Sequence, residues 1–308
     1  MRAVRNTEDG VRVVDVDEPS GPGVTVEVTS SSICGTDLGL VEAGLTGFTI
    51  GHEFAGLVDG VPHAVDPSIS CGSCDQCRGG HTQRCVGPHT NLGIFVDGGL
   101  CDRIIVPDSN LVPLPEGLSL EDACLVEPAG VAWHGARRAG IVPGERVVVV
   151  GGGSIGLLVV AAVSRLGHDV ALVARHPHQI EAGERLGAQR PSGSFDVVLE
   201  ATGTRSGLET SAELARPGGR VVLLGVFAAS APVPGALTLV KELSWIGAMA
   251  YGSQSGVRDL DEAAALLAAA PDVRDTIMTH RFSLEESSEA FRVAASRSEG
   301  SIKVGLYL

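Results

Sequence analysis

Short apolar runs and amphipathic stretches alternate through the middle of the chain, with glycine-rich turns between them. An unbroken run of valines predicts a buried strand over Arg146–Val150, which leads through a glycine turn into a helix ending at Leu166. A second strand is predicted over Asp169–Ala174, and the segments 195–203 and 218–226 repeat the strand-to-turn format. This alternation predicts an α/β fold with a doubly wound parallel sheet.

One connection in this pattern is too short for a full crossover. Only Pro191, Ser192 and Gly193 lie between LGAQR and SFDVVLE, whereas another strand and its helix need at least ~10–12 residues. In the strand order 3-2-1-4-5-6 the third strand is an edge, so its loss leaves the core intact. We therefore expect a sheet that lacks one edge strand.

The length and charge of the chain limit its partners. With 308 residues the chain is long enough for two domains. A formal net charge of -14 repels phosphate and argues against nucleic acid as a partner. No signal-like segment opens the chain, and no apolar run reaches the ~20 residues that span a bilayer. We expect a cytoplasmic protein without a membrane partner.

Four of the seven cysteines crowd into residues 71–85 with the spacing C-x2-C-x2-C-x7-C. Disulfides are disfavoured because thiols stay reduced in the cytosol and the count is odd. A ferredoxin-type cluster has a three-residue last gap followed by proline, so it fits less well. Four thiolates on a short loop favour a closed structural zinc site, although a cluster or metal-free thiols remain alternatives. The expected ligands are Cys71, Cys74, Cys77 and Cys85.

The turn after the first buried strand has the pattern G-x-G-x-x-G and opens a helix, as in dinucleotide-binding proteins. Gly151 allows the tight turn, Gly153 lets the backbone approach a pyrophosphate, and Gly156 lets helix and strand pack closely. Ser154 and Ile155 begin the helix whose N-terminus would hold the anion. The alternative is a glycine-rich turn without a ligand.

The end of the second strand indicates which dinucleotide binds. NAD sites place a carboxylate there, but this chain has Ala174 followed by Arg175, which can bind a 2′-phosphate. NADP is therefore favoured, with NAD as the alternative if Arg175 is only a solvated cation. The third and fourth strand turns end in small residues where a cofactor would lie, including Thr202 and Gly225.

A second group of metal-capable residues is spread over a longer stretch. Cys34, His52 and Glu53 precede the nucleotide segment, and Glu127 lies at the expected junction between domains. A catalytic zinc takes three protein ligands and leaves one position for water or substrate. The alternative is a buried thiol, a core histidine and surface carboxylates.

Several motifs in order resemble the zinc-dependent medium-chain dehydrogenase/reductase family, in particular its sorbitol, threonine and glucose dehydrogenase branch. They are CGTD, GHE, the four-cysteine segment, DGGLCDRIIVP, VEP, GGGSIG, EATG and GSIKV, and they span essentially the whole chain. The resemblance implies a GroES-like, β-rich catalytic domain over 1–128, to which 255–308 returns. It implies a Rossmann domain over 129–254.

The resemblance also implies roles for single residues. Cys34 and His52 match zinc ligands, and Glu53 and Glu127 match carboxylates that bind the metal directly or through water. Thr36 matches a hydroxyl that passes the substrate proton.

Further matches concern residues around the metal and the cofactor. Asp37 matches the carboxylate that orients the ligating histidine. Ile155 matches a branched residue behind the nicotinamide, and Lys303 matches a cation near the pyrophosphate. The family forms homodimers or homotetramers, so we expect a homo-oligomer.

The chain also departs from the family. A relay histidine often follows the zinc cysteine by five residues, where this chain has Gly39. Segments near the substrate cleft are short, so no particular substrate is implied. Cys101 and Cys124 match no ligand position and are expected to be buried.

Together these features favour a zinc-dependent oxidoreductase that transfers a hydride between an alcohol, polyol or sugar and NADP. The expected cofactors are two zinc ions per chain, one catalytic and one structural, and the dinucleotide. Two alternatives remain: a zinc-independent alkene or quinone reductase of the same fold, and a non-catalytic nucleotide-binding protein. Cys34, His52 and Glu53 would have no explanation in the reductase.

Overall fold

The structure, a computed structural model, describes residues 1–227 and 229–308, apart from the side chain of residue 297. The chain divides into two compact units. The first consists of Met1–Glu127 and Gly252–Leu308, and the second of Pro128–Tyr251. The second unit therefore begins one residue, and ends three residues, before the expected range 129–254.

The elements are numbered in chain order. The strands are β1 Arg2–Thr7, β2 Gly10–Asp15, β3 Val24–Ser32, β4 Glu53–Val58, β5 Val61–Val65, β6 Ser68–Ile69, β7 Thr90–Leu92, β8 Phe95–Val96, β9 Arg103–Val106, β10 Leu111–Pro113, β11 Val147–Val150, β12 Val170–Val173, β13 Phe195–Glu200, β14 Ala215–Leu223, β15 Ser244–Gly247, β16 Ser253–Gln254, β17 Val257–Arg258, β18 Met278–Ser283 and β19 Lys303–Tyr307. The helices are α1 Gly35–Glu42, α2 Asp75–Arg78, α3 Val126–Arg138, α4 Ser154–Arg165, α5 Pro177–Arg185, α6 Arg205–Leu214, α7 Gly235–Lys241, α8 Asp259–Ala269, α9 Pro271–Ile277 and α10 Ser287–Ala295.

The first unit is built on a mixed sheet with the strand order β10-β5-β4-β3-β19-β18, in which β9 also pairs with β3. Strands β3 and β4 are antiparallel, as are β3 and β19. Strand β3 therefore pairs with a strand from the N-terminal part of the chain and also with the last strand of the chain. Apolar residues from β1, α1 and α10 form a buried cluster that includes Val4, Leu40 and Phe291. This packing holds the end of β3 and the start of α1 in fixed positions.

The second unit contains a parallel sheet with the order β12-β11-β13-β14-β15. All four residues of β11 are buried, as expected for a parallel strand covered on both faces. The order is that of a doubly wound sheet from which the third strand is absent. Among the described residues, only Gln189 pairs with the outer edge of β12, through a single parallel bridge to Ala171. The predicted sheet with a missing edge strand is thus confirmed for the described residues.

No helix within the described ranges is both long and apolar enough to cross a membrane.

Candidate metal centres and nucleotide site

Three metal-capable side chains converge in the first unit. Ser32 at the end of β3 pairs with Glu53 at the start of β4, so the residues just after β3 lie beside those just before β4. Cys34 therefore comes next to His52, and the ligand atoms of Cys34, His52 and Glu53 all lie within 4.8 Å of one another. One sulfur, one imidazole nitrogen and one carboxylate are donors that zinc accepts. The donor set fits a catalytic zinc with an open position.

Asp37 connects two of these three residues. It lies in the first turn of α1, is fully buried, and accepts a hydrogen bond from the backbone N–H of Cys34 at 2.8 Å. Its other oxygen lies 3.1 Å from Nδ1 of His52. When Nδ1 carries the proton, Nε2 of His52 has a free lone pair for a metal. This geometry suits the predicted role of Asp37 as the carboxylate that orients the histidine.

The surroundings of His52 are anionic. Burial alone would lower the pKa of His52, but the charges of Asp37 and Cys34 outweigh it and raise the pKa well above 6.5. The hydroxyl oxygen of Thr36 lies 3.8 Å from Sγ of Cys34. The negative charge that favours a proton on the buried His52 also favours a metal cation there. The hydroxyl of Thr36 lies beside the thiol of Cys34.

Glu53 has a buried partner at its carboxylate. Nζ of Lys303 lies 2.7 Å from both carboxylate oxygens, and it also donates to the carbonyl of Ile33 at 3.2 Å. The hydroxyl of Ser32 donates to the same carboxylate. Burial would lower the pKa of Lys303, but the charge of Glu53 outweighs it and raises the pKa. Glu53, one of the three metal-capable residues, is therefore also held by a buried ion pair.

This ion pair defines the surroundings of Lys303. The residue lies within the first unit and is almost completely buried, and its role as a cation near the pyrophosphate stays a prediction. Strand β19 pairs with β3, which brings Lys303 beside the residues that follow β3. A buried ammonium requires a paired charge, and Glu53 supplies it. The ammonium group of Lys303 is therefore paired with the carboxylate of Glu53.

Glu127 lies close to the same site without joining the three converging ligand atoms. It stands in the first turn of α3 and is buried. Burial raises its pKa to about 8, helped by the charge of Glu53, while His52 and Lys303 act in the opposite direction. Its charge thus interacts with three residues of the site, and its role as a ligand stays a prediction.

The four cysteines of residues 71–85 form a compact group. Their sulfur atoms lie within 4.8 Å of one another, and none is in a disulfide. Sγ of Cys77 is 3.5 Å from Sγ of Cys74 and 3.9 Å from Sγ of Cys71. Sulfurs placed about 2.3 Å from a tetrahedral centre lie about 3.8 Å apart. The spacing therefore fits four thiolates around one zinc ion.

Backbone amides prepare these thiols for metal binding. The N–H groups of Ser73 and Cys74 lower the pKa of Cys71 to about 5. Those of Cys77 and Val86 lower the pKa of Cys74. Burial and the neighbouring thiol of Cys74 raise the pKa of Cys77 to about 11. Negative charge gathers in a small space, which a metal cation would neutralise.

Cys101 and Cys124 lie outside both groups. Both are buried, as expected. Burial raises the pKa of each thiol to about 12. Neither belongs to a metal-capable group in the part of the chain that the structure describes.

The glycine turn of the second unit has the shape that a pyrophosphate requires. Gly151 has a positive φ of 120°, and a Cβ at Gly156 would lie 1.8 Å from the carbonyl oxygen of Gly151. A Cβ at Gly153 would meet no atom within 4 Å. Packing alone therefore explains Gly151 and Gly156, whereas Gly153 faces open space that a pyrophosphate would fill. No side chain caps the start of α4 at Ser154, so its N–H groups can bind an anion.

The end of β12 lies against this turn. A Cβ at Gly152 would be 2.6 Å from Cβ of Ala174. Arg175 follows directly, is exposed, and makes no hydrogen bond or ion pair with any described residue. No carboxylate stands at position 174 to repel a phosphate. The donor set fits NADP.

The remaining predicted cofactor residues follow β13 and β14. Thr202 and Gly225 lie in turns at the carboxyl ends of these two strands. Both turns contact the fully buried carboxylate of Glu200, and Gly203 stands between them. Ile155 lies in the first turn of α4 and is partly buried.

Sequence reasoning missed two residues of these sites, Ser32 and Glu200. Ser32 ends a run of three serines in β3, all of them buried, and a run of that kind two residues before the candidate ligand Cys34 is the signal that the sequence offers. Glu200 stands two residues before Thr202 in EATG, as a charged residue that follows the apolar run VVL. Both side chains are buried, and both act on a neighbouring site residue.

One unit is β-rich and carries a sulfur, nitrogen and oxygen ligand set, and the other is a nucleotide-type parallel sheet. A chain that contains both is typical of a zinc-binding dehydrogenase. The profile described as alcohol dehydrogenase GroES-like domain matches residues 21–116, and that described as zinc-binding dehydrogenase matches residues 154–269. The chain belongs to the zinc-dependent medium-chain dehydrogenase family, as its motifs predicted.

Relatives and solved structures extend this similarity. The chain is 30% identical over 271 residues to L-idonate 5-dehydrogenase (NAD(P)(+)) of Escherichia coli strain K12, covering 75% of this chain and 78% of the relative. A crystal structure of L-idonate 5-dehydrogenase from that organism superposes with a TM-score of 0.89 and 28% identity, covering 100% and 97% of the two chains.

Two further solved structures are similar over nearly the full length. Galactitol-1-phosphate dehydrogenase from Escherichia coli has a TM-score of 0.89 and 26% identity, with 100% of both chains covered. A protein of Sinorhizobium meliloti 1021, described as a zinc-binding dehydrogenase and solved bound to NADP, has a TM-score of 0.85 and 29% identity, covering 100% and 99%. These matches confirm the predicted GroES-like and Rossmann-like folds.

Proposed function

We propose that this protein transfers a hydride between a secondary alcohol group of a polyol or sugar-derived substrate and NADP, with a zinc ion at Cys34, His52 and a carboxylate. The convergence of Cys34, His52 and Glu53, with Asp37 behind the histidine, carries the proposal. The similar dehydrogenases act on L-idonate and galactitol 1-phosphate, which are rich in hydroxyl groups. A ligand set with one carboxylate in place of a thiolate also favours oxygen-rich substrates.

The metal, the cofactor and the side chains would each have a separate role in hydride transfer. Bound zinc would supply a Lewis acid that lowers the pKa of an alcohol hydroxyl, and NADP would accept the hydride. Thr36 would take up the alcohol proton through its hydroxyl. Asp37 keeps the ring of His52 in the tautomer that presents Nε2. Gly39 stands where the family often has a relay histidine, so the proton would leave by water, the ribose hydroxyls or another side chain.

The third zinc ligand is the open point of this proposal. Both oxygens of Glu53 lie against Nζ of Lys303, which balances the charge of that carboxylate. Glu127 makes no ion pair with a described residue, and burial already raises its pKa, so a metal ion would relieve the cost of its charge. We therefore favour Glu127 for holding the metal or its water, with Glu53 as the alternative.

Metal analysis combined with a substrate panel tests the function. Protein purified without chelators should contain two zinc ions per chain, because one group offers three metal-capable side chains and the other offers four. A panel of polyols, aldonates and simple alcohols should then reduce NADP, with the polyhydroxylated compounds used best. The zinc-independent alkene or quinone reductase is not favoured, and it would require one zinc per chain and activity on an activated alkene. A protein that contains a single zinc ion per chain and shows no alcohol-dependent reduction of NADP would contradict the proposal.

We predict that Arg175→Ala removes the preference for NADP. The guanidinium makes no hydrogen bond or ion pair with described residues, and a charged contact to the 2′-phosphate contributes about 1.5–3 kcal/mol, roughly tenfold to a hundredfold. The measurement is the ratio of kcat/KM for NADP and NAD. Arg185→Ala is the matched control, because it removes an exposed arginine from the same unit at the other end of α5. Equal use of both cofactors by wild type, unchanged by the mutation, contradicts the assignment.

Glu127→Gln should change how stability depends on pH in metal-free protein. The pKa of Glu127 rises from 4.5 to about 8 on folding, so the unfolded chain releases this proton first. Stability therefore falls as pH rises through that window, by up to about 1.4 kcal/mol for each pH unit. The glutamine variant should lack this decline in denaturant unfolding.

The same variant tests the metal. If Glu127 holds the metal or its water, Glu127→Gln also lowers catalytic zinc content and shifts the pH–rate profile. Glu121→Gln, which alters an exposed carboxylate six residues earlier, should change neither. Wild-type zinc content and pH–rate profile in Glu127→Gln would leave Glu53 as the carboxylate ligand.

The proposal includes a homo-oligomer in the cytoplasm. Strand β15 lies at the edge of the parallel sheet, and Leu239, Val240 and Met249 of the same unit are exposed. A second copy of the chain would cover such an apolar edge. Sedimentation velocity distinguishes a dimer from a tetramer. A reducing compartment keeps the ligand thiols available for metal.

A further inference from the structure

Glu200 ends β13 as a fully buried carboxylate, and it connects two turns at the same edge of the sheet. Its Oε1 accepts hydrogen bonds from the N–H groups of Thr202 at 2.8 Å and Gly203 at 3.1 Å, and from the hydroxyl of Thr202. Its backbone carbonyl accepts from the N–H groups of Leu224 at 2.9 Å and Gly225 at 3.1 Å. One residue thus holds the turn after β13 and the turn after β14.

Glycines make the room for this carboxylate. A Cβ at Gly225 would lie 2.6 Å from Oε2 of Glu200 and 2.1 Å from the backbone nitrogen of Gly203. A Cβ at Gly207, in the first turn of α6, would lie 2.5 Å from Oε1 of Glu200. The carboxylate therefore fits a space that side chains at these positions would fill. The two turns also touch, since a Cβ at Gly203 would lie 2.3 Å from the carbonyl oxygen of Val226.

A chain of hydroxyl groups leads outward from Glu200. The hydroxyl of Thr202 donates to the carboxylate, Oγ1 of Thr204 lies 2.8 Å from Oγ1 of Thr202, and Oγ of Ser206 lies 3.2 Å from Oγ1 of Thr204. Because the hydroxyl of Thr202 donates its one proton to Glu200, its oxygen is left to accept from Thr204. Thr204 also accepts from the N–H of Gly207 and caps α6. Glu200 thereby orders the whole segment from 201 to 206.

The geometry points to Glu200 as a positioning residue for the nicotinamide half of the dinucleotide. This inference rests on the proposed nucleotide-dependent function. In a doubly wound sheet each half binds one mononucleotide, so β11 and β12 face the adenosine half and β13 and β14 the nicotinamide half. Thr202 and Gly225 lie in the two turns that Glu200 joins. Turns ordered before the ligand arrives lower the entropy cost of binding it.

Two probes of different length test this role on the full-length protein. NADP covers both halves of the sheet, whereas adenosine 2′,5′-bisphosphate covers only the adenosine half. Glu200→Gln keeps the side-chain volume but places an amide group where the carboxylate accepts. By calorimetric titration its Kd for NADP should rise about tenfold, while its Kd for adenosine 2′,5′-bisphosphate should change less than about twofold.

Glu145→Gln is the matched control. Glu145 pairs with Arg220 at 2.6 Å, at the amino end of the same sheet and away from both turns. This variant should lower the melting temperature and leave both Kd values unchanged. If Glu200→Gln does not fold, Thr202→Val removes the hydroxyl that binds the carboxylate, and it should give the same selective loss.

Three results would overturn the inference. The first is a Glu200→Gln protein whose Kd for NADP is unchanged. The second is a Glu200→Gln protein that loses affinity equally for both probes and has a lower melting temperature. The third is a Thr202→Val protein without a selective loss of affinity for NADP. Wild-type protein that binds neither probe would instead overturn the nucleotide-dependent function on which the inference rests. Failure of the proposed function and failure of this role are therefore separated by the wild-type titration.

Discussion

His52→Ala is expected to lose the catalytic zinc and to lower kcat/KM at least about a thousandfold, which corresponds to about 4 kcal/mol of transition-state stabilisation. The reason is that His52 supplies the only nitrogen ligand of the three-residue cluster, and a thiol with one carboxylate makes a poor zinc site. Elemental analysis should show one zinc per chain instead of two. The remaining zinc belongs to the cysteine group.

The control for this experiment is His63→Ala. His63 lies on β5 of the same sheet, is half-buried, and its ring bonds only to the carbonyl of Val61 among described residues. It should keep both zinc ions and full turnover. Asp37→Asn gives a graded test, because a weakened partner of a metal-bound histidine typically costs about 10–100-fold. Two zinc ions and wild-type turnover in His52→Ala would contradict the proposed metal centre.

Cys77→Ser should cost the protein its structural zinc and much of its thermal stability, while the folded fraction keeps its hydride chemistry. Four thiolates leave no open position for a substrate, so this metal can act only on the fold or on assembly. A loss of about 3 kcal/mol or more would lower the melting temperature by at least roughly 6 °C. Differential scanning calorimetry and zinc content are the measurements.

Cys101→Ala is the matched control for the cysteine group. It removes a buried thiol from the same unit, outside the four-cysteine group, so zinc content should stay at two. A small loss of stability is expected from the deleted sulfur alone. Cys77→Ser with a wild-type melting temperature and oligomeric state would show that the cysteine group does not stabilise the protein.

The fold could be predicted because its signals are local in the chain. An unbroken run of valines, a glycine turn and a helix follow one another within some twenty residues, and such a sequence forms the same unit wherever it occurs. The missing edge strand could also be predicted, since three residues cannot form a crossover. The structure adds that Gln189 remains as a single bridging residue at that edge.

The metal site could be predicted only in part. Residue type and motif order indicated Cys34, His52, Glu53 and Asp37, because zinc accepts few kinds of donor. Which carboxylate holds the metal could not be predicted, since it depends on the other charges that surround Glu53 and Glu127. Lys303 shows the limit most plainly, because 250 residues separate it from Glu53 and no local pattern links them.

The sequence by itself determined the fold class, the nucleotide turn, the spacing of the four thiols and the family, because each rests on residues that are close in the chain or on an ordered set of motifs. Only the tertiary structure decided which buried charges meet. Strand pairing brings Lys303 to Glu53 through β19 and β3, and it brings the turns after β13 and β14 to Glu200. A buried charge must find its partner in space, wherever that partner lies along the chain.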